Sequence, residues 1–345
     1  MECPGSEEVR MLARLVCMAF AAAAPLAHAA TYTVTSTASG GSCTANATTD
    51  ADCTLDAAIR AAADGDVVRF SASVQTQTIL ISDAFPSPLA ASLTIDGSPL
   101  GVVLDGRESF DMFVVPSGVS LTLSHLTLQN GVGQFSGGAV YNGGGTVAID
   151  SCTFTGNSAI QFGGAIANAS GGMTITNSTI AGNTAADGGG IYSGGTLTVA
   201  NSTIADNYAT GNGGGIANDG TLSLSSDIVA TNRSPNAPDV YNFSSFVSLG
   251  FNLFGDGSLV FPTQASDQAG SAAAPLDPGF ATGSLAANGG ATPTLALRAD
   301  SPARSAGNCA GAPAVVLDQR GYPRGTPCTA GAFDLNAIFV SDFGR

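Results

Sequence analysis

Aliphatic residues in the middle of the chain recur every 24 to 26 positions, in the same places of each repeat. Within a repeat they alternate with Thr or Ser, as in Met173-Thr-Ile175, and this two-residue period is typical of a β-strand. The repeats contain no sustained helical periodicity. The aliphatic rows consist of Val147, Met173, Leu197 and Leu222; Ile149, Ile175, Val199 and Leu224; Phe154, Ile180, Ile204 and Val229; and Val140, Ile166, Ile191 and Ile216.

A repeat of about 25 residues that holds three short strands predicts one coil of a right-handed parallel β-helix, an all-β solenoid. Stacked coils lie about 4.8 Å apart, so equivalent residues lie above one another and the aliphatic rows line the interior. A leucine-rich repeat would place Leu and Asn differently, and a propeller blade needs a longer unit.

Two polar features share the same period, and both have a structural interpretation. The Asn row is expected at a turn, where stacked amides bond between coils and where Asn tolerates left-handed φ. Gly-Gly pairs precede the Val140 row and predict a second turn, with positive φ or close backbone contact. The Asn row consists of Asn157, Asn183, Asn207 and Asn232.

Residues 54–63 form the best helical segment after the N-terminal region, with Thr54 as N-cap and Asp64-Gly65 as stop signal. A solenoid must cover its open sheet edges, so we expect this helix to close the N-terminal end. We pair Cys43 with Cys53 beside it, and Cys309 with Cys328 near the C-terminus. Cys152 is left over. Metal binding by the cysteines is disfavoured, because the sequence offers no C-x-x-C motif and no nearby His.

Composition narrows the class of partners. The formal net charge is −15, all 11 basic residues are Arg, and charged residues make up 11% of the chain. Nucleic-acid binding requires clustered basic residues, so this balance argues against it. The negative net charge is explained by solubility, because a net charge away from zero keeps a protein dispersed.

The N-terminus has the features of an export signal. Arg10 and Arg14 precede an apolar stretch that ends in Ala27-His28-Ala29, a small-x-small cleavage pattern. We therefore predict a signal peptide over residues 1–29, with Met11 as a possible true start. No other run is long and apolar enough for a membrane span. The expected location is extracellular or on a bacterial cell surface.

Three segments resemble known families of exported bacterial proteins. Cys53-Thr-Leu-Asp-Ala-Ala-Ile, followed by Gly65-Asp-Val-Val-Arg-Phe70, resembles the CSLREA-type N-terminal segment, although it has Leu-Asp-Ala-Ala where that family has Leu-Arg-Glu-Ala. The Gly-Gly-Ala-Ile and Phe-x-x-Asn units at 137–232 resemble repeats of polymorphic outer-membrane-type passengers and pectate-lyase-like solenoids.

The C-terminal portion is similar to the choice-of-anchor Q domain. The resemblance rests on Leu276-Asp-Pro-Gly-Phe280, Ala287-Asn-Gly-Gly-Ala-Thr-Pro-Thr294, Asp318-Gln-Arg-Gly-Tyr-Pro-Arg324 and Gly331-Ala-Phe-Asp334. It departs at Ala303-Arg-Ser-Ala-Gly307 and at Thr329-Ala330. The predicted organisation is a cap with first strands at 30–91, β-helix coils at 92–260 and a choice-of-anchor Q-like region at 261–345.

Reactive residues are sparse. A polysaccharide lyase needs a basic residue and carboxylate-held Ca²⁺, yet no Arg or Lys occurs between Glu108 and Asn232. A hydrolase needs two carboxylates about 5–10 Å apart. The best catalytic candidate is the group Asp105, Arg107 and Glu108, which also has the Asp-Gly signature of an ordinary turn. No cofactor or metal is predicted, and Ca²⁺ has no ligand set that supports it.

The remaining polar residues favour structural roles. His125 has no partner near it in the sequence, and the Asp318–Arg320–Arg324 group is better explained by a buried ion pair that fixes the last coils than by a substrate clamp. The acidic residues of the repeats occupy differing turn positions, where capping is the simpler role. They are Asp150, Asp187, Asp206, Asp219 and Asp227.

These observations predict a non-catalytic, adhesin-like protein that contacts glycans or other surfaces through rows of Thr, Ser and Asn. The alternative is a divergent polysaccharide lyase or glycoside hydrolase, which would need acids and an Arg that converge in one groove. An ice-binding face is disfavoured, because Thr does not persist in paired rows. The ligand and the oligomeric state stay open.

Overall fold

The computed structural model describes residues 29–47, 50–82, 85, 87–258, 264–309 and 316–335. The predicted signal peptide therefore lies outside the described residues, apart from its last position. The described strands form three parallel sheets, A, B and C, and successive coils add neighbouring strands to each sheet. This arrangement is a parallel β-helix.

Sheet A contains thirteen of the described strands. From the coil of Phe113 onward each coil contributes a first and a second segment to it, which are separate strands or are joined across register shifts. Its strands are β1 (Thr31–Val34), β2 (Asp66–Phe70), β4 (Leu93–Asp96), β6 (Phe113–Val115), β7 (Ser120–Ser124), β10 (Val140–Asp150), β13 (Ile166–Thr176), β16 (Ile191–Ser193), β17 (Thr196–Ala200), β20 (Ile216–Asn218), β21 (Thr221–Ser225), β23 (Val240–Asn242) and β24 (Ser245–Ser248).

Sheets B and C form the other sides of the coil. Sheet B contains β3 (Thr78–Leu80), β5 (Val102–Asp105), β8 (Leu126–Gln129), β11 (Thr153–Thr155), β14 (Thr179–Ala181), β18 (Thr203–Ala205), β22 (Ile228–Ala230), β25 (Leu253–Phe254) and β26 (Gln268–Ala269). Sheet C contains β9 (Val132–Gly133), β12 (Ser158–Ala159), β15 (Thr184–Ala185) and β19 (Tyr208–Ala209).

The strand register places the aliphatic rows of the sequence above one another. Val147 pairs with Met173, which pairs with Leu197, and the other rows follow the same register. Each of these side chains is at most 3% exposed, and together they form the interior of the coil. The predicted repeat of about 25 residues is thus confirmed as one coil.

The Asn row forms a continuous hydrogen-bonded ladder between sheets B and C. Asn157 donates from its backbone N–H and from Nδ2 to Asn183 Oδ1, and Asn183 does the same to Asn207 Oδ1. Asn207 donates to Asn232, and Asn232 donates to Oδ1 of Asp239. Every backbone N–H of the ladder therefore points to the next coil, and a carboxylate accepts the last one.

The expectation that these asparagines adopt left-handed φ is wrong. The left-handed residue of each coil is the preceding one, namely Gly156, Gly182, Asp206 and Thr231, with φ between 56° and 73°. The Asn side chain that follows is buried. The Gly-Gly turn does contain positive φ, at its first glycine, as the sequence predicts. These glycines are Gly137, Gly163, Gly188 and Gly213.

A second polar ladder, which the sequence did not reveal, links sheets A and B. The Cys152 N–H donates to Ser178 Oγ and the Ser178 N–H donates to Ser202 Oγ. The Ser202 N–H donates to Asp227 Oδ1, so each bond leads to the next coil. Asp227 N–H donates to Asn252, whose N–H donates to Asp267. Cys152 is a buried free thiol at one end of this ladder.

The N-terminal end is covered by helix α1 (Leu55–Ala61), which packs against β1 and β2. Thr54 is its N-cap, since its hydroxyl accepts from Ala57 N–H. The helix ends three residues before the predicted Asp64-Gly65 stop, because Ala62 is already extended. Cys43 and Cys53 form a disulfide beside it, and Cys309 and Cys328 form a second one.

The chain after β26 turns back and lies against sheet B. Thr292 donates to the Ser151 carbonyl, and Gln319 bonds to Cys152, Thr153 and Thr179. Arg324 reaches Asn177. The same region also packs on the later coils, where Leu297 and Phe333 form one apolar cluster with Ile228 and Leu253. The C-terminal region therefore covers sheet B of the middle and the later coils.

Candidate functional site

The candidate catalytic residues Asp105, Arg107 and Glu108 lie in a turn after β5. Asp105 accepts hydrogen bonds from Arg107 N–H, from Gln129 Nε2 and from Asn130 Nδ2. Arg107 and Glu108 both have positive φ, and both are exposed. Neither side chain forms an ion pair within the described part of the chain. This geometry is that of a turn in which the Asp105 carboxylate bonds to the next coil through Gln129 and Asn130.

His125 has a partner that its sequence neighbourhood did not indicate. Its Nδ1 lies 3.3 Å from Asp96 Oδ1, on the preceding coil. Asp96 also accepts from Ser98 and Ser124. The hydrogen bond with His125 holds the pKa of Asp96 well below its ordinary value. The hydrogen bond between Asp96 and His125 thus joins two adjacent coils.

The Asp318–Arg320 pair is buried, with side-chain exposures of 0% and 2%. Arg320 also donates to the Asp334 carbonyl oxygen and lies 3.8 Å from the centre of the Phe333 ring. Because solvent does not reach the pair, this geometry favours the structural interpretation over a substrate clamp.

The acidic residues of the repeats do not converge as a set. Asp150 accepts from Ser151, Thr176 and Asn177, and Asp187 accepts from Asn212. Asp219 accepts from the Tyr192 hydroxyl.

The most organised surface feature is a column of outward-facing residues on the first segment of sheet A. Tyr141 pairs in register with Ala167, Ala167 with Tyr192, Tyr192 with Ala217, and Ala217 with Tyr241. We call these five residues the tyrosine strip. Each tyrosine is half-buried, and each intervening alanine is buried because it lies between two larger side chains of the adjacent coils.

The outward orientation of the tyrosine strip follows from strand alternation. Val140 and Asn142 point inward and are fully buried, so Tyr141 between them points out. Ile191 and Ser193 flank Tyr192 in the same way.

An aromatic neighbour and a carboxylate position the central tyrosine. The Phe162 ring lies 4.5 Å from the Tyr192 ring, with a 36° angle between their planes. Tyr192 Oη donates to Asp219 Oδ2 over 2.9 Å. Partial burial and the nearby Asp219 raise the pKa of Tyr192 to about 12, so its hydroxyl stays a donor at any physiological pH.

A hollow lies at each end of the tyrosine strip. Tyr141 lines one of about 330 Å³, together with Asp111, Gln134 and Phe135. Tyr241 lines a cleft of about 950 Å³, whose walls include Asp206, Asn212, Arg233, Asn236, Asp239 and Asp256. We call these the Tyr141 hollow and the Tyr241 cleft. The strip between them spans four coil steps, about 19 Å at ordinary strand spacing.

The Tyr241 cleft contains two carboxylates that the sequence analysis did not single out. Asp239 accepts from Asn232 at Oδ1 and from Asp256 N–H at Oδ2. Burial raises the pKa of Asp239 to about 6, although these hydrogen bonds oppose the shift. Both carboxylates are buried, while Arg233 is exposed.

The tyrosines carry a sequence signal that could have been used. They are 51 and 49 residues apart, which is twice the repeat. The residues at the Tyr241 cleft carry no such signal, because the chain leaves the repeat pattern between Arg233 and Asp239.

Within the described residues, no group of His, Cys, Asp and Glu side chains has the arrangement of a metal site. No described helix is long and apolar enough to cross a membrane.

Residues 113–236, which include most of the tyrosine strip, match the family model for the right handed beta helix region. The middle of the chain is a right-handed parallel β-helix. Comparisons with curated proteins and with solved structures gave no match.

Asp227 gives the β-helix a testable pH dependence. Burial raises its pKa from 3.8 to about 8, against the hydrogen bonds from Ser202 and Ser225 N–H. The folded chain therefore binds more protons than the unfolded chain between these pH values, and stability falls as the pH rises through this window. One such group contributes a slope of at most about 1.4 kcal/mol per pH unit.

We expect the Asp227→Asn variant to lose this part of the slope. Urea denaturation midpoints of both proteins, measured from pH 4.5 to pH 9, would test the assignment. Parallel pH curves for the two proteins would contradict it.

Proposed function

We propose that this protein is an exported β-helix protein that binds a polysaccharide chain along the tyrosine strip and does not cleave it. The observation that carries the proposal is the register of Tyr141, Tyr192 and Tyr241, which places three half-exposed rings in one line between two hollows. A linear arrangement of rings with a hollow at each end suits an extended chain better than a compact ligand.

The chemistry of the surface supports a glycan. Aromatic rings offer apolar faces with a polar hydroxyl at the edge, which suits the C–H faces and hydroxyls of a sugar. Carboxylate and amide side chains beside them provide strong acceptors and donors. Asp111 and Gln134 occupy such positions in the Tyr141 hollow, and Asn212 and Asn236 in the Tyr241 cleft.

Export is part of the proposal and rests on three supports. The two disulfides fit an oxidising compartment. The predicted signal peptide over residues 1–29 would direct the chain there. The resemblance of the 261–345 region to choice-of-anchor Q domains suggests a cell-surface location. In this proposal residues 30–91 form the cap and residues 92–260 form the coils.

A divergent glycoside hydrolase is the second candidate, and one observation favours it. The Tyr241 cleft brings Asp239, Asp256 and Arg233 together, and a buried carboxyl with a raised pKa is a common general acid. Against this, both Asp239 oxygens already accept hydrogen bonds that end the Asn ladder.

The test is a panel of soluble polysaccharides on the purified mature chain, with binding and release of new sugar ends measured together. We expect binding without release, and we expect Tyr241→Ala to weaken binding about tenfold, as the loss of one stacked ring implies. Sugar release that is lost in Asp239→Asn, or in Asp105→Ala, Arg107→Ala or Glu108→Ala, would instead establish an enzyme. Binding that Tyr241→Ala leaves unchanged would exclude the tyrosine strip.

A further inference from the structure

The structure also indicates which class of polysaccharide the tyrosine strip fits, an inference that rests on the proposed function. We propose that the ligand is an uncharged, extended, β-1,4-linked chain that runs parallel to the β-helix axis, with one sugar per coil and one disaccharide per tyrosine. The alternation of Tyr and Ala in register and the charge of the surrounding side chains carry this proposal.

The spacing is the first argument. Tyr141, Tyr192 and Tyr241 lie two coils apart, about 9.6 Å at ordinary strand spacing. In an extended β-1,4-linked chain each sugar is turned over relative to the last, so the same ring face returns at every second residue. The length of that disaccharide is close to the two-coil step, so successive tyrosines meet equivalent sugar faces.

The alanines are the second argument. Ala167 and Ala217 are almost completely buried, with exposures of 0% and 2%, and they leave no side chain that could stack on a sugar at their coils. The sugars at these coils present the opposite face and need no ring beneath them. A chain whose residues all have the same orientation, such as an α-1,4-linked glucan, would not match this alternation.

Charge is the third argument. Asp111 lines the Tyr141 hollow, Asp219 bonds to Tyr192, and Asp187 lies close enough to raise the pKa of that tyrosine. Arg233 is the only basic residue that lines either hollow in the described part of the chain. A polyuronate would bring its carboxylates against these aspartates without a matching row of cations. The hydroxyls of a neutral sugar can donate to the same carboxylates.

The experiment is calorimetric titration of the mature chain with cello-oligosaccharides and N-acetylated chito-oligosaccharides of two to eight residues. Oligogalacturonates and malto-oligosaccharides of the same lengths serve as comparisons. The strip occupies five coils, counted from Tyr141 to Tyr241. We therefore expect affinity to rise with ligand length up to about five sugars and to change less than about threefold beyond that length. Oligogalacturonates should bind at least about tenfold more weakly at low salt, with the difference shrinking as salt is added.

Variants test whether the tyrosine strip is responsible. Tyr192→Ala should weaken binding of the five-residue ligand about tenfold, and Tyr192→Phe, which keeps the ring, less than about threefold. Tyr208→Ala removes an exposed tyrosine of sheet C that is not in the strip and should leave binding unchanged.

The outcomes separate the two proposals. Preference for oligogalacturonates or malto-oligosaccharides, with loss in Tyr192→Ala, would overturn this inference and leave the proposed function standing. Affinity that does not depend on chain length would overturn the inference as well. No binding by any member of the panel, or binding indifferent to Tyr192, would overturn both.

Discussion

The Asn183→Ala variant is expected to lose about 3–5 kcal/mol of unfolding free energy, one of the two largest losses that we predict for a single substitution. Asn183 Oδ1 accepts from the backbone N–H and the Nδ2 of Asn157, and its own Nδ2 donates to the Phe154 carbonyl and to Asn207. Alanine removes all four contacts. The Asn157 N–H would then be buried without this partner, and Asn157 Nδ2 would keep only the Leu128 carbonyl. A buried donor left unpaired costs about 1–3 kcal/mol.

The measurement is the shift in the urea midpoint, with Thr174→Ala as the matched control. Thr174 is an exposed residue on the outer face of the same coil, and we expect its loss to change stability by less than about 0.5 kcal/mol. A second variant, Asn183→Asp, keeps the acceptor but sets a carboxylate oxygen against the Phe154 carbonyl and Asn207 Oδ1, so at neutral pH it should be no more stable than Asn183→Ala. Equal midpoints for Asn183→Ala and Thr174→Ala would contradict the role of the ladder.

The repeat predicted the coil well because register and burial act on every coil in the same way. Val147, Met173 and Leu197 must occupy equivalent interior positions if the strands pair in parallel, so their period reports the stacking directly. The conformation of the Asn turn was predicted less well. The preceding position, Gly156 or Gly182, is the one that adopts left-handed φ, whereas the ladder requires an inward Asn side chain.

The candidate site was harder to predict, because the tyrosine strip contains no acidic or basic residue that would mark it. The strip alternates Tyr with Ala, so its period is two repeats and it does not show as a row of like residues. Asp239 and Asp256 follow an irregular segment, and only the folded chain brings them to one cleft.

The sequence also did not predict which coils the C-terminal region contacts. Gln319 bonds to Thr179, 140 positions earlier, and nothing periodic in residues 276–335 indicates which coil they meet. The buried Asp318–Arg320 pair could be proposed from its motif, but its place beside the middle coils could not.

Arg324 makes the second prediction with a large effect, because it joins the C-terminal region to those coils. The guanidinium donates to Asn177 Oδ1 and to the Asn201 carbonyl, and also to three carbonyls of its own region. Burial lowers its pKa to about 10, so it is a cation at neutral pH, near the carboxylates of Asp318 and Asp334. Arg324→Met keeps much of the volume, removes every donor, and should destabilise the fold by about 3–5 kcal/mol.

Lysine at this position should recover little of that loss, since a single ammonium group cannot reproduce the planar fork that spans both partners. The measurement combines the urea midpoint with limited chymotrypsin digestion, in which release of the C-terminal region would expose the bond after Phe333, now buried at 3% exposure. Arg304→Ala is the matched control, because Arg304 is exposed and its side chain donates to the Ala299 carbonyl of its own region. If Arg324→Met and Arg304→Ala had the same midpoint and the same resistance at Phe333, the C-terminal region would be held by its apolar contacts and by Gln319 instead.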